Sequence, residues 1–236
     1  MKGGVLLDIG GIAAAAKNRH DFWCTLLREI APRHVAEVGV WRGEFAARVL
    51  AEVPSIETYH MIDPWRRLDS WNKPWNLDDA AFSAVFADMK ARVSAFSDRV
   101  VIHRGTTTEV LSGLPDDLDF IYIDGDHTLR GISIDLIAMW PKLRTGGWLG
   151  GDDLMRNIWQ HGPDYEPGLV FPFVMHFAEG TGVPLTLLPF QQYLMRKTEY
   201  RDFHLRDHTS HAASQELLSQ VRPRGRCAAL RELLGG

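Results

Sequence analysis

Apolar residues recur along this chain in two alternating rhythms, one of helices and one of short strands. From residue 12 to residue 30 alanines, then Phe22, Leu26, Leu27 and Ile30, return at helical spacing, and Pro32 ends the segment. Residues 34–40 form a short apolar run halted at Gly39, after which helical spacing resumes over 44–53, so a strand, a glycine turn and a helix follow one another. The cycle repeats as a strand over 58–62, an amphipathic helix over 80–96 and a strand over 100–103. A short helix over 107–114 precedes Asp119-Phe-Ile-Tyr-Ile-Asp124, an apolar run bounded by acids that reads as a fourth strand. Residues 129–143 align Leu129, Ile132, Leu136 and Trp140 on one helical side, and Gly146-Gly147 are expected to break the chain before a fifth strand at 148–150. A helix over 170–179 and two strands, 184–189 and 192–196, joined by a tight turn, complete the pattern.

Strands that alternate with helices predict a parallel sheet covered on both faces. The expected fold is α/β: a Rossmann-like, doubly wound, seven-stranded and mostly parallel sheet whose last strand is antiparallel. At 236 residues, 45% of them hydrophobic, the chain suits one substantial core. Residues 1–33 are read as an N-terminal helical extension, 34–197 as the ligand-binding domain and 198–236 as a C-terminal appendage with weak helical fragments near 215–221 and 228–234.

Composition narrows the partners. A net charge of −4 argues against nucleic acid, whose binders concentrate basic charge, and favours a small molecule. Cys24 and Cys227 stand alone, so neither a zinc ribbon nor a disulfide framework is supported, and a reduced cytoplasm is expected. No apolar run reaches the roughly 18 residues of a membrane span, and Asp8 with Gly10-Gly11 interrupts the signal-like start. No metal-site pattern of acids or cysteines accompanies His204, His208 and His211, and the basic cluster of Arg222, Arg224 and Arg226 lies in a nearly charge-balanced tail.

Two constellations carry chemistry. Ala36-Glu37-Val38-Gly39-Val40-Trp41-Arg42-Gly43 sits where a strand meets a helix, the place where open parallel sheets bind nucleotides. A diphosphate binder normally has glycine where Glu37 stands. A carboxylate there repels phosphates and attracts a ligand carrying an ammonium and a sulfonium, as S-adenosylmethionine does. The competing reading is a plain strand-end acid beside a tight turn. Asp63 ends the second strand and either accepts the ribose hydroxyls or caps the turn at Pro64. Gly105, Thr107 and Thr108 follow the third strand and could line an adenine, although threonines also cap helices.

Asp124 ends the fourth strand and Asp152-Asp153 the fifth, so topology should bring three carboxylates to one rim. Their repulsion is relieved by a hard divalent cation, with magnesium favoured by an all-oxygen donor set. Helix capping and solvation are the alternative roles. His127, three residues beyond Asp124, is a candidate general base, and so is Asp124 itself. Trp65, Trp71 and Trp75 could form an apolar lid or pack in the core, and the loop over 155–168 could set acceptor specificity.

Glu37-Val-Gly-Val-Trp41-Arg-Gly43, the strand-end Asp63, Ile-Asp124-Gly-Asp-His127 and Gly-Asp152-Asp153 together resemble the class I S-adenosylmethionine-dependent methyltransferases. The closer likeness is to the group with catechol O-methyltransferase and the macrolide-sugar and cephamycin-pathway O-methyltransferases. The resemblance implies that Glu37, Gly39 and Gly43 contact the methionine end of the cofactor, that Trp41 and Asp124 also border the cofactor, that Asp63 binds ribose, and that Asp124, Asp152 and Asp153 bind the cation, with magnesium expected. His127 stands where catechol O-methyltransferase has a catalytic lysine, a departure from that pattern. The expected reaction is metal-assisted methylation of a small-molecule hydroxyl; the alternatives are a metal-independent O- or N-methyltransferase and a non-catalytic nucleotide-binding module. A homo-oligomer is also expected, through the terminal segments.

Overall fold

A computed structural model describes residues 7–209 of the chain apart from Arg156. The helices are α1 (Ile9–Ala15), α2 (Arg19–Ile30), α3 (Glu44–Glu52), α4 (Asp79–Val93), α5 (Thr107–Val110), α6 (Leu129–Lys142) and α7 (Val170–Thr181). The strands are β1 (His34–Val38), β2 (Thr58–Asp63), β3 (Val100–Arg104), β4 (Leu118–Ile123), β5 (Leu143–Gly151), β6 (Leu185–Leu188), β7 (Gln192–Arg196) and β8 (Leu205–Asp207).

All eight strands join one sheet in the order β3-β2-β1-β4-β5-β7-β6-β8. Every pairing is parallel except those of β7, which runs antiparallel to β5 and β6. The expected doubly wound sheet is therefore present, with one strand more than the seven predicted. The addition is β8, three residues of the segment read as an appendage, which pairs Leu185 with Leu205 and Leu187 with Asp207. Two of its three side chains are exposed, so it lacks the apolar alternation that reveals a strand.

Gly146-Gly147 do not break the chain. They lie inside β5, which begins at Leu143 opposite Leu118 and shifts register before Trp148. Gly146 adopts φ +83, a conformation open to glycine, and so absorbs a bulge without ending the strand.

Alternation along the buried strands supplies two cores, one on each face. Val35, Tyr59, Met61, Phe120 and Tyr122 meet α2, α3 and α4, while Ala36, Val38, Ile62, Ile121 and Ile123 meet α6 and α7. Helix α2 belongs to the first core, because Phe22, Trp23, Leu26 and Leu27 are all buried. Among the described residues no helix is long and apolar enough to cross a membrane.

The site follows from this winding. β1 pairs with β2 on one side and β4 on the other, so successive crossovers diverge and a crevice opens at the carboxyl ends of β1 and β4. The hairpin between β6 and β7 turns through the three residues 189–191, of which Phe190 and Gln191 are at positive φ. Leu154 N–H donates to Gln191 O at 2.8 Å, which seats that turn against the acids beyond β5.

Candidate active site

The glycine turn after β1 is built by a close backbone approach. Gly39 N–H donates to Ile62 O at 2.9 Å and Asp124 N–H to Val38 O at 2.7 Å, drawing three strand ends together. A Cβ on Gly39, at φ +85, would lie 2.0 Å from Asp124 O, so no other residue fits. Asp63 fixes the next stretch: its Oδ2 accepts the N–H groups of Val40 at 3.1 Å and Trp41 at 2.9 Å, and its Oδ1 accepts that of Trp65 at 2.8 Å. Burial raises its pKa to about 6, against the lowering effect of those bonds. The residue therefore caps the turn, as one of its two readings held, while lining the same cavity.

That cavity encloses about 620 Å³ and is bordered by Glu37, Gly39, Trp41, Gly105, Thr107 and Asp124 among others. Glu37 is buried on β1, with Tyr59 OH donating to Oε2 at 2.8 Å. Burial lifts its pKa well above the usual carboxylate range; the Tyr59 bond opposes the rise, and Asp124 and Asp63 add to it. No ion pair among the described residues neutralises it. A buried carboxyl without a cation of its own is the arrangement a cationic ligand completes.

Of the three rim acids, Asp124 and Asp153 cluster with His127, and Asp152 does not join them. Asp124, His127 and Asp153 place ligand-capable atoms within 4.8 Å of one another. His127 Nδ1 pairs with Asp153, while its buried Nε2 stands 3.4 Å from Asp124 Oδ1 without a hydrogen-bond partner. Burial alone would lower the histidine pKa, yet the two flanking carboxylates, Asp124 and Asp153, outweigh it and raise the value to about 10. Asp152 turns away from this trio: Gln192 Nε2 and Asp153 N–H donate to its Oδ1, and Arg19 pairs with its Oδ2. Arg19 also donates to Asp124 Oδ2 at 3.3 Å. Charge alternates along the rim, with Arg19 between Asp152 and Asp124, and His127 between Asp124 and Asp153.

Arg19, Gln192 and Asp135 were not anticipated from sequence. Arg19 opens α2, far from the acids in the chain, and no local motif marks it. Gln192, buried at the start of β7, accepts from Trp23 Nε1 at 2.7 Å and Tyr122 OH at 2.8 Å, which links α2 and β4 to Asp152. Asp135 had a legible signal, because it interrupts the buried stripe of Ile132, Leu136 and Met139 on α6.

Beyond β3, Gly105 and Thr107 line the cavity, and Thr106 does so in place of Thr108. Thr108 lies one step further round the first turn of α5 and is exposed. Thr106 is the N-cap, with a capping box to Glu109.

The tryptophans divide. Trp65 is core, fully buried against Phe86 at 5.0 Å with its Nε1 donating to Trp41 O. Trp71 and Trp75 line the cavity; Trp71 Nε1 donates to Asp126 Oδ1 at 2.9 Å, and Trp75 packs edge-on against Trp41 at 5.9 Å. Their loop is tied to the one after β5, since Asn72 Nδ2 donates to Asp164 O and the buried Lys73 Nζ to Glu166 O. Two loops that both line the cavity are thus tied together. His211, the three tail arginines, Cys227 and the two tail helices lie outside the described residues; His204 and His208 sit apart from the rim, beside β8.

Comparison with known proteins agrees with this geometry. A family model described as a methyltransferase domain matches residues 36–154. Among solved structures, the O-methyltransferase TomG of Streptomyces achromogenes, involved in tomaymycin synthesis and bound to S-adenosylmethionine, is 15% identical, with 79% of this chain and 82% of that chain covered and a TM-score of 0.56. An O-methyltransferase of Bacillus cereus in complex with S-adenosylhomocysteine is 16% identical over 80% and 86% of the two chains, at a TM-score of 0.54. The S-adenosylhomocysteine-bound methyltransferase PaMTH1 of Podospora anserina is 17% identical over 77% and 78%, also at 0.54. At these identities the likeness is one of fold. No protein of curated function matches the sequence significantly. Half of the chain, from β1 to the acids beyond β5, carries the family pattern, and the protein therefore belongs to the methyltransferase-domain family of S-adenosylmethionine-dependent enzymes.

Proposed function

We propose that this enzyme methylates a hydroxyl oxygen on a small molecule with the help of a divalent cation held by Asp124, His127 and Asp153. The observation that carries the reading is His127 Nε2, buried without a hydrogen-bond partner beside Asp124 while Nδ1 is fixed on Asp153. An imidazole oriented by a carboxylate at one nitrogen and open at the other is a common metal ligand. Its nitrogen widens the choice beyond magnesium to manganese. Asp152 is held back by Arg19 and Gln192 and completes the set only where Arg19 withdraws.

Glu37 receives the donor's ammonium, Gly39 lets the donor cross the strand end, and Asp63 has one acceptor position left on Oδ1 for a ribose hydroxyl. Trp41, Trp71 and Trp75 exclude water and offer apolar faces to the acceptor. When bound, the cation supplies positive charge that favours the deprotonated acceptor hydroxyl. Methyl transfer is a displacement, so holding donor and acceptor in line supplies much of the remaining rate.

A second reading, transfer without metal, is favoured by Arg19, which with His127 already brings positive charge between the three acids. Methyl transfer assayed with and without chelator separates the two. Activity lost in EDTA and restored by magnesium or manganese supports the first; undiminished turnover in excess EDTA supports the second.

A further inference from the structure

One buried carboxyl serves neither the methionine end nor the rim. Asp135, on the second turn of α6, is only 6% exposed and shares its helical side with Ile132, Leu136 and Met139. A leucine there would fill the space without the cost of burying a charged group. Thr107 Oγ1 donates to Asp135 Oδ1 at 2.5 Å, which anchors one oxygen. The other faces Gly125: a Cβ built on Gly125 would lie 3.1 Å from Oδ2. Asp135, Thr107, Gly105 and Gly125 all border the same cavity, at its end beyond β3 and β4. A carboxylate oxygen accepts up to two hydrogen bonds, so Oδ2 has acceptor capacity to offer there.

We propose that Asp135 recognises the exocyclic 6-amino group of the cofactor's adenine, Oδ2 accepting an amino N–H while Thr107 holds Oδ1. The inference rests on the assignment of S-adenosylmethionine to this cavity. Asp135 is suited to the role by elimination as well as by position. Asp63 already accepts three backbone N–H groups, and Glu37 lies at β1 on the sheet face of α2 and α3, bonded to Tyr59. Gly125 carries no side chain to shield Oδ2 from a ring lying across it. An amino group gives the carboxylate a donor, whereas a 6-oxo group would set oxygen against oxygen. A site built to bond an N–H rejects the analogue that lacks it far more strongly than a merely apolar pocket does.

Calorimetric titration of the purified full chain at pH 8, where Asp135 is ionised and can only accept, with S-adenosylhomocysteine and with S-inosylhomocysteine, its 6-oxo analogue, tests this. The wild-type protein should bind the adenosine form at least about tenfold more tightly. In Asp135→Asn the difference should shrink to about threefold or less, because an amide can offer either its oxygen or its NH2 to the ring. A thermal melt establishes that the variant is folded; should it not fold, Thr107→Val, which removes the anchor and keeps the shape, should narrow the same ratio. Equal wild-type affinities, or discrimination that survives unchanged in a folded Asp135→Asn or Thr107→Val protein, overturn the proposal. No binding of S-adenosylhomocysteine by wild-type protein would instead defeat the cofactor assignment, and this inference with it.

Discussion

Arg19 Nη1 lies 3.3 Å from Asp124 Oδ2, and the same guanidinium pairs with Asp152, so the first turn of α2 ties together the ends of β4 and β5. Helix α2 is consequently part of the rim and not merely packed beside it. Asn18 sets the position: its side chain caps α2 by accepting from Asp21 N–H at 3.0 Å, which starts the helix with Arg19 directed at the acids.

Arg19 and a divalent cation should compete for the same carboxylates. Arg19→Ala is expected to tighten manganese binding by about threefold or more, since removing a positive charge beside the acids strengthens their hold on another. Titration of the variant and the wild type, followed by the electron paramagnetic resonance of free manganese, reads this directly. Equal or weaker affinity in the variant would show that the guanidinium and the cation do not share a place.

Gly39→Ala should lower stability by about 3 kcal/mol or more, because the new Cβ meets backbone and the positive φ is also lost to it. Gly43→Ala, at φ +71 and with its added Cβ 3.0 Å from the Met89 side chain, should cost less, since a methionine can yield. Urea unfolding of the two variants compares them; equal losses would contradict the role given to the contact between Gly39 and Asp124.

The contribution of Asp63 and Asp135 to the stability of the ligand-free protein should fall as pH rises from 5 to 8. Burial raises Asp63 to about 6 and Asp135 to about 7, the latter despite its Thr107 bond. With folded-state values above the unfolded value near 3.9, the neutral carboxyls favour the fold. Their contribution is complete below about pH 4 and is lost as pH rises through about 6 and then about 7. Asp135→Asn removes one of these groups and should flatten the decline by on the order of 2 kcal/mol at pH 8. Calorimetric melts across that range check the sign; an unchanged pH profile in the variant would oppose it. A carboxyl that costs stability at working pH is the kind of group retained for recognition.

Legibility in the sequence followed distance along the chain. Glu37, Gly39 and Asp124 were readable because each closes a strand, and strand ends of a parallel sheet share one edge. The winding was readable for the same reason, with every buried strand announcing itself by an apolar run. Arg19 was not, since its approach to Asp124 depends on how α2 packs through Trp23 and not on any nearby pattern. Gln192 was hidden likewise, in a strand expected on apolar grounds alone. Thr108 was misplaced by a single residue of helical rotation, enough to turn a side chain from the cavity to solvent. β8 escaped because its pairing with β6 is a backbone affair with little burial to mark it.

Glu37 carries the central claim, that a buried carboxyl without a cation of its own receives a positively charged methyl donor. Calorimetric titration of S-adenosylmethionine into wild-type and Glu37→Gln protein, with NAD as the control ligand, is its most direct test. The account predicts one site for S-adenosylmethionine, at least about tenfold weaker in the variant, no binding of NAD, and a variant melting temperature equal to or above that of the wild type because an unpaired buried acid has gone. Binding of NAD alone, or an S-adenosylmethionine affinity indifferent to Glu37→Gln, would contradict it.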